Sequence, residues 1–324
     1  MHPFALPALA LTLALLGPAA RAAPLFTASD LPQRSQDAPL AYVNRPAAAA
    51  QPLTLTHAPQ GGDAVAHVPA GGKLRVLLVD DAGHYLAANA FGLVGWAQPG
   101  SGKASDSFGA LATLRLRQDG DTPFTLHYPP RLAKVLNQPI DDDLMLAWHA
   151  LRIALQPGGP VFTLDCDSGP SADPGCSFTP GQPRAQGSGT QGHMIGGDKF
   201  FMPGNGFVYV DSYANDIYRV RRKWAVAADG SATEVPQPYY YVGMQSRTTA
   251  PLVLQGLDGA RHTVKTGAPV HVLLNAPQRA PCAARSDCTQ TAFLVQAGKA
   301  VGWASVDYSA MPPVPIKDAY LRGD

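Results

Sequence analysis

The sequence predicts a mainly β protein built around a duplicated module. Three observations carry this prediction: 32 glycines and 31 prolines among 324 residues, short apolar segments of alternating polarity between turn residues, and three sequence blocks that recur in the same order. A hydrophobic fraction of 46% excludes a disordered chain. Because 25 basic and 24 acidic residues nearly balance, no overall field favours nucleic acid, and we expect no nucleic-acid partner.

Residues 1–22 are typical of a secretory signal peptide. An apolar run extends from Leu6 to Leu16, and Ala20 and Ala22 supply the small residues that signal peptidase needs before its cleavage site. No Lys or Arg precedes the run, which departs from the usual pattern. The run is too short for a bilayer span, which takes roughly 18 apolar residues. We therefore expect a periplasmic or secreted protein without a membrane span, and a Pro/Ala-rich linker over residues 23–50.

The four cysteines fit an exported protein. Cys166 lies ten residues before Cys176, and Cys282 lies six residues before Cys288. Four cysteines allow three pairings, and short polar loops favour the two local ones. Zinc is the rival interpretation, but neither spacing suits a zinc knuckle. We expect two local disulfides that stiffen loops more than they hold the fold.

Three blocks of sequence form an internal repeat. Each block keeps its order and character in both copies, and the pairs are 52–55 with 251–254, 71–78 with 267–274, and 94–97 with 301–304. The last pair is Val-Gly-Trp-Ala in both copies. The second copy is longer between its glycine and its tryptophan, and the added residues contain the Cys282/Cys288 loop. Insertion at a surface loop is what a duplicated module tolerates.

Each copy is predicted to form short strands. Leu74, Val76 and Leu78 alternate on one face, and a turn at 80–83 leads to a return strand. The glycine of the Gly-Trp pair permits close backbone packing, and we expect Trp96 and Trp303 to be core residues. This arrangement resembles the bacterial SH3-like family, small β-barrels of exported proteins whose last strands often carry Gly-Trp. The resemblance covers about 51–99 and 251–307 and implies binding of cell-wall peptide, another protein or a neighbouring domain.

The predicted organisation is therefore two SH3-like barrels that flank a β-rich central domain. The predicted boundaries are module 1 at 51–103, the central domain at 104–250, module 2 at 251–307 and a C-terminal tail at 308–324. We find no further copy of the repeat between the modules. In the central domain a hairpin is predicted from 114–117 and 124–128, and further strands at 207–210, 217–220, 224–226 and 239–242. Residues 144–155 fit either a helix, which would make this domain α+β, or two strands.

The sequence contains no complete catalytic or metal-binding motif, so it predicts no catalytic residue, metal site or cofactor. There is no Gly-x-Ser-x-Gly and no His-Glu-x-x-His. His193 and Asp198 resemble part of the zinc site of D-Ala-D-Ala carboxypeptidases, but the aspartate comes two residues too early. Asp165, Asp167 and Asp173 lack the spacing of an EF-hand.

One group of residues is typical of a binding surface. Tyrosines crowd the segment 209–241 beside the basic run 219–223, and amphipathic rings next to arginine are common in protein interfaces. The candidate binding residues are Tyr209, Tyr213, Tyr218, Arg221 and Tyr240. A half-buried sheet with a basic solvent face explains the same pattern without a partner.

The sequence thus favours an exported non-enzymatic protein that binds a protein or a peptidoglycan-derived cell-wall component. An inhibitor or immunity protein is one specific form of this class. The alternative is a peptidoglycan hydrolase with a metal-type site near His193 and Asp198.

Overall fold

The computed structural model describes thirteen stretches of the chain. They are 23–28, 30–32, 40–100, 111–116, 124–140, 147–167, 174–181, 194–214, 218–257, 259–284, 288–307, 309–310 and 315–318. The described residues form 23 strands in four sheets and two three-residue 3-10 helices, Pro130–Leu132 and Pro277–Arg279. The prediction of a mainly β fold is confirmed. The predicted signal peptide lies outside the described residues.

Sheet I holds the first module and has the order β1-β4-β5-β6-β2-β3. Its strands are β1 (Leu40–Ala48), β2 (Leu53–Ala58), β3 (Gly61–Val68), β4 (Lys73–Asp80), β5 (Tyr85–Asn89) and β6 (Val94–Pro99).

Two further sheets form the centre of the molecule. Sheet III contains β7 (Ala112–Leu116), β8 (Phe124–Tyr128), β14 (Lys199–Phe201), β15 (Phe207–Ala214), β16 (Tyr218–Val226) and β17 (Ala232–Val235), in the order β17-β16-β15-β14-β8-β7. Sheet II runs β13-β12-β11-β10-β9, with β9 (Ala133–Ile140), β10 (Ala147–Ala154), β11 (Val161–Asp167), β12 (Gly175–Pro180) and β13 (Ile195–Gly196). The predicted hairpin appears as β7 and β8, although its turn lies outside the described residues.

Sheet IV holds the second module and has the order β18-β21-β22-β23-β19-β20. Its strands are β18 (Tyr240–Arg247), β19 (Leu252–Gly256), β20 (Arg261–Val264), β21 (Pro269–Asn275), β22 (Gln290–Ala297) and β23 (Ala300–Asp307). Strand for strand this is the order of sheet I. The repeat that the sequence predicts is therefore a repeat of topology.

The glycine of each Gly-Trp pair lies where two strands approach closely. A Cβ placed on Gly95 would lie 2.9 Å from the carbonyl oxygen of Thr56, and one on Gly302 would lie 2.5 Å from that of Gln255. Thr56 pairs with Trp96, as Gln255 pairs with Trp303. The contact is thus the same in both modules, and the expected reason for the glycine, close backbone packing, is confirmed.

Modules 1 and 2 pack on each other through equivalent residues. One buried cluster joins the sheets, and its equivalent pairs are Leu77 with Leu273, Leu78 with Leu274, Leu86 with Leu294, and Trp96 with Trp303. The tryptophans are 5% and 9% exposed, so the prediction that they are core residues is confirmed.

Sheet II repeats part of the same architecture, although its sequence contains no recognisable copy of the repeated blocks. In sheets I, II and IV two residues of an edge strand lie opposite one residue of its neighbour, and that single residue is Leu77, Ala150 or Leu273. One of the two edge-strand residues at this bulge has a positive φ in each sheet. It is Asn44 in sheet I, Asn137 in sheet II and Gly243 in sheet IV. Phe178 of β12, opposite Leu164, takes the position that tryptophan has in the modules. The central region thus contains a partial structural counterpart of the modules, in strands β9 to β12.

Sheets II and III face each other across the largest described core cluster. Its aromatic members are Phe124, Tyr128, Trp148, Phe162, Phe178 and Phe200. The opposite face of sheet III is partly covered by module 1, because Tyr209 belongs to the core cluster of that module. At this junction the buried Lys223 donates to the carbonyl oxygen of Val65 at 3.3 Å and lies 3.9 Å from the centre of the Phe207 ring.

Two predicted boundaries differ from the structure. Segment 23–50, predicted as a linker, contains β1, which pairs with β4 and belongs to the first module. Residues 240–247, assigned to the central domain, form β18 and pair with β21 of the second module. In the predicted tail, Ile316 is buried and forms an isolated bridge with Thr248.

The helix considered for 144–155 is wrong where the structure describes it. Residues 147–154 form the single strand β10, and 141–146 lie outside the described residues. Ala150 is the bulged residue, so the side chains of Trp148, Ala150, Leu151 and Ile153 are all buried. A bulge of this kind interrupts the alternation expected of a strand and imitates a helical period.

The predicted local disulfides are confirmed. Cys166 pairs with Cys176 and Cys282 with Cys288, and the described residues contain no free cysteine. The first disulfide departs from the expected loop role, because it joins the neighbouring strands β11 and β12 inside the core between sheets II and III. No helix in the described part of the chain is long and apolar enough to cross a membrane.

Candidate functional site

A groove lies on the face of sheet III beside module 1. It has a volume of about 700 Å3 and draws side chains from five strands. We call it the basic groove and define it by the residues that line it: Thr113, Arg115, Thr125, His127, Lys199, Phe201, Asp211 and Arg221.

The main chain register explains why these side chains meet. Arg115 pairs with Thr125, Thr125 with Lys199, Lys199 with Asp211, and Asp211 with Arg221, so five neighbouring strands form one row. A second row, two residues along each strand, contains Thr113, His127 and Phe201. Because alternate residues of a strand share a face, both rows point into the groove.

Arg221 is held in place at one end of the row. Its Nε and Nη2 donate to the two carboxylate oxygens of Asp211 at 2.6 and 2.8 Å, and Nη1 donates to the carbonyl oxygen of Phe91 in module 1 at 3.0 Å. The guanidinium carbon also lies 4.2 Å from the centre of the Phe201 ring. A guanidinium with this many partners orders the wall of the groove and neutralises Asp211.

His127 forms the floor of the groove together with Phe201. The two rings stack with their centres 4.4 Å apart, and the hydroxyl of Thr113 lies 3.1 Å from His127 Nδ1. Burial lowers the pKa of His127, and the nearby positive charges of Arg221 and Lys199 lower it further. The imidazole therefore favours its neutral form in an environment that is already cationic.

Arg115 and Lys199 supply the positive charge that the groove does not compensate internally. Neither side chain forms a salt bridge with another described residue. Since Arg221 is paired with Asp211, the groove keeps an excess of two positive charges with His127 neutral. Arg115 is exposed and Lys199 is half-buried, so both can reach a ligand from solvent.

The predicted binding residues are divided among three environments. Arg221 lines the basic groove, whereas Tyr209 is fully buried and its hydroxyl accepts from Asn205 at 3.0 Å. Tyr218 and Tyr240 line a separate groove between sheets III and IV. Tyr213 lies on β15, but its side chain is outside the described residues. The four residues whose side chains are described therefore do not form one surface.

The second groove has a volume of about 230 Å3, and its charges are largely paired. The hydroxyl of Tyr240 donates to Glu234 Oε1 at 3.0 Å, and Arg222 Nη1 lies 3.7 Å from Glu234 Oε2. Burial and the charge of Glu234 raise the pKa of Tyr240 to about 12. These side chains satisfy one another, which suits a structural contact between the sheets.

Asp198, in the bend between β13 and β14, forms an ion pair with Arg219 of β16. Both of its carboxylate oxygens accept from Arg219, at 3.0 and 2.5 Å, and its side chain is buried. His193 lies outside the described residues. Within the described chain, no group of three or more His, Cys, Asp or Glu side chains is placed to hold a metal ion.

A partly buried His–Asp contact in sheet II lacks the geometry of a catalytic triad. His149 Nδ1 lies 2.6 Å from Asp165, whose other oxygen accepts from Thr179 at 2.9 Å. Ser177 lies opposite Asp165 on the strand beyond it. His149 and Ser177 are thus two strands apart, roughly 9 to 10 Å between Cα atoms. A triad requires the histidine between the serine and the acid, in contact with both.

Sequence reasoning missed Arg115, Thr125, His127 and Lys199. Arg115, Thr125 and His127 are polar members of alternating segments, which is a signal for the solvent-facing side of a strand. Lys199 precedes Phe200 and Phe201 and has no such signal. What the sequence does not reveal is that β8 and β14, more than 70 residues apart, lie side by side in parallel.

No family model, curated protein or solved structure matches the chain, so its function is inferred from its own residues and their geometry.

Proposed function

We propose that this chain is an exported, non-enzymatic binding protein and that the basic groove is its contact surface. The ligand class is a protein or a cell-wall component. An inhibitor or immunity protein, which acts by occupying its target, is the specific form that this proposal favours.

One observation carries the proposal: two cations, Arg115 and Lys199, point into an open groove without a salt-bridge partner among the described residues. A small number of polar groups that converge on an open pocket is the usual mark of a binding site. Arg221, His127 and Phe201 contact one another around them, so the wall and floor are ordered before a ligand arrives.

Two further features support export and binding. Two disulfides are typical of a protein that folds in an oxidising compartment, as the predicted signal peptide implies. The resemblance of both modules to the SH3-like family implies binding as their general role. Module 1 also orders the groove, since Phe91 accepts a hydrogen bond from Arg221.

Affinity capture from an envelope extract tests the proposal. The bait is the purified protein, compared with the double variant Arg115→Gln/Lys199→Gln and with Lys299→Gln, an exposed lysine in the turn between β22 and β23. We expect wild type and Lys299→Gln to retain the same ligand and the double variant to lose it. Equal retention by all three baits would contradict the groove as the contact surface.

An activity assay separates binding from hydrolysis. The purified protein is incubated with peptidoglycan sacculi, and released muropeptides are measured. We expect no release; release that disappears in His193→Ala would replace the binding proposal with a hydrolase.

A further inference from the structure

The charges along the main row of the basic groove define the ligand more closely. Resting on the proposed function, we propose that the groove binds an extended acidic segment of a partner protein. In this segment two carboxylate side chains are separated by one residue, and Arg115 and Lys199 each hold one of them.

The spacing of the two cations carries the first step. β8 alone separates the strands of Arg115 and Lys199, so their Cα atoms are about 9.5 Å apart. Alternate side chains of an extended peptide lie about 6.6 to 6.8 Å apart on one side. The spacing of the two strands therefore exceeds the spacing of the carboxylates by about 3 Å. The long side chains of Arg115 and Lys199 can lean toward each other by this amount, so each cation reaches its own carboxylate. Because the guanidinium of Arg115 can accept a carboxylate in a bidentate manner, a carboxylate is well suited to this end of the row.

The next position in the row sets a limit on the negative charge of the ligand. Beyond Lys199 lies Asp211, whose carboxylate is paired with Arg221. A third negative charge at this point would find no free cation, because Arg221 is already engaged by Asp211, and it would lie beside the Asp211 carboxylate. The row thus runs from a cation through a hydroxyl and a second cation to an acid, at Arg115, Thr125, Lys199 and Asp211. This order selects a ligand with two carboxylates followed by a neutral or basic residue. A chain that carries a negative charge at every unit fits this order poorly.

The length of the row also favours a chain over a compact anion. From Arg115 to Arg221 the row crosses five strands, about 19 Å between Cα atoms. A single phosphate or carboxylate would occupy only a small part of this length and of the groove volume of about 700 Å3. A peptide of six residues in extended conformation, about 20 Å long at about 3.3 Å per residue, spans it.

Fluorescence anisotropy with labelled peptides tests this inference. The probe is the peptide Ser-Glu-Ser-Glu-Ser-Gly, and the neutral control replaces both glutamates by glutamine. We expect the acidic peptide to bind and the neutral one to bind at least tenfold more weakly. Arg115→Gln and Lys199→Gln should each weaken the acidic peptide about tenfold or more, while Lys299→Gln leaves its Kd unchanged. Thermal unfolding of each variant confirms that it is folded.

The inference would be overturned by equal binding of the neutral peptide, by wild-type affinity in Arg115→Gln and Lys199→Gln, or by stronger binding of poly-glutamate than of the two-carboxylate peptide at equal chain concentration. Displacement by purified muropeptides at lower concentration than by the acidic peptide would assign the groove to a cell-wall ligand instead. The capture experiment separates the two proposals. If envelope capture depends on Arg115 and Lys199 but the acidic peptide does not bind, the proposed function stands and the acidic-segment inference falls.

Discussion

Trp96 and Trp303 occupy the same position in two sheets of identical strand order, and both side chains are buried in a cluster that joins the sheets. Each ring lies opposite an equivalent leucine, Leu86 or Leu294. The duplicated module therefore uses its tryptophan to associate with the other copy as well as to fill its own core.

Loss of either tryptophan should destabilise the protein strongly. Trp96→Ala and Trp303→Ala each remove a large buried side chain, and we expect the free energy of unfolding to fall by about 3–5 kcal/mol. Val253→Ala is the control, because Val253 is 47% exposed and should change stability by less than about 0.5 kcal/mol. Urea denaturation measures all three. Tryptophan variants as stable as the Val253 control would show that the cluster does not join the modules.

The glycine before each tryptophan should be intolerant of alanine. In Gly95→Ala and Gly302→Ala the new Cβ would contact a neighbouring backbone carbonyl at under 3 Å, and backbone cannot move away cheaply. We expect a loss of about 1–3 kcal/mol in each case. Gly196→Ala is the matched control, since the nearest atom to its Cβ is 4.0 Å away. Equal unfolding midpoints for Gly95→Ala and Gly196→Ala would contradict the close approach.

The two disulfides should differ in their contribution to stability. Replacing Cys166 and Cys176 by alanine should cost about 3 kcal/mol through the lost constraint on the unfolded chain. A further loss follows because both side chains are buried in the sandwich core. Cys282 and Cys288 are only half-buried, so the same double replacement there should cost less. Chemical denaturation without reductant compares the pairs; a larger loss from the second pair would be inconsistent with the core position of the first.

His127 should titrate below its usual range. Burial and the charges of Arg221, Lys199 and Arg115 lower its pKa below 6.5, and the raising effect of Asp211 does not reverse this. The unfolded chain then binds the proton more readily than the folded protein. This group therefore contributes stability above pH 6.5 that is lost as the pH falls from 6.5 through the folded pKa.

NMR titration of the His127 ring measures this pKa. Lys199→Gln removes one positive neighbour and should raise it, while the control Lys299→Gln should leave it unchanged. The acidic peptide, which brings negative charge into the groove, should raise it as well. A pKa at or above 6.5 in the free wild-type protein would contradict the electrostatic description of the groove.

The parts of the fold that the sequence predicted are those with a local physical signature. Gly95 and Trp96 mark a close strand crossing and a core position, and the same signature recurs at Gly302 and Trp303, so the repeat could be placed in its correct register. The strand β1 was missed because it contains Pro46 and several alanines. A proline is compatible with an edge strand, and β1 is an edge of sheet I.

The candidate site could be predicted only in part, because it depends on which strands become neighbours. Its basic and aromatic surroundings predict Arg221 as a binding residue, and the structure places it in the wall of the groove. The same pattern predicts Tyr209, which is buried beneath module 1. Arg115 and Lys199 come from segments more than 80 residues apart, and no local pattern brings them together.

The most direct test of the central claim combines both proposals in one measurement. Envelope material captured on the immobilised protein is eluted with the free acidic peptide or with its glutamine counterpart, and the eluted ligand is quantified. We predict that the acidic peptide releases the captured ligand and that the neutral peptide does not, because the acidic peptide and the captured ligand compete for Arg115 and Lys199. Retention of the captured ligand at saturating acidic peptide would contradict the claim that the basic groove is the binding surface.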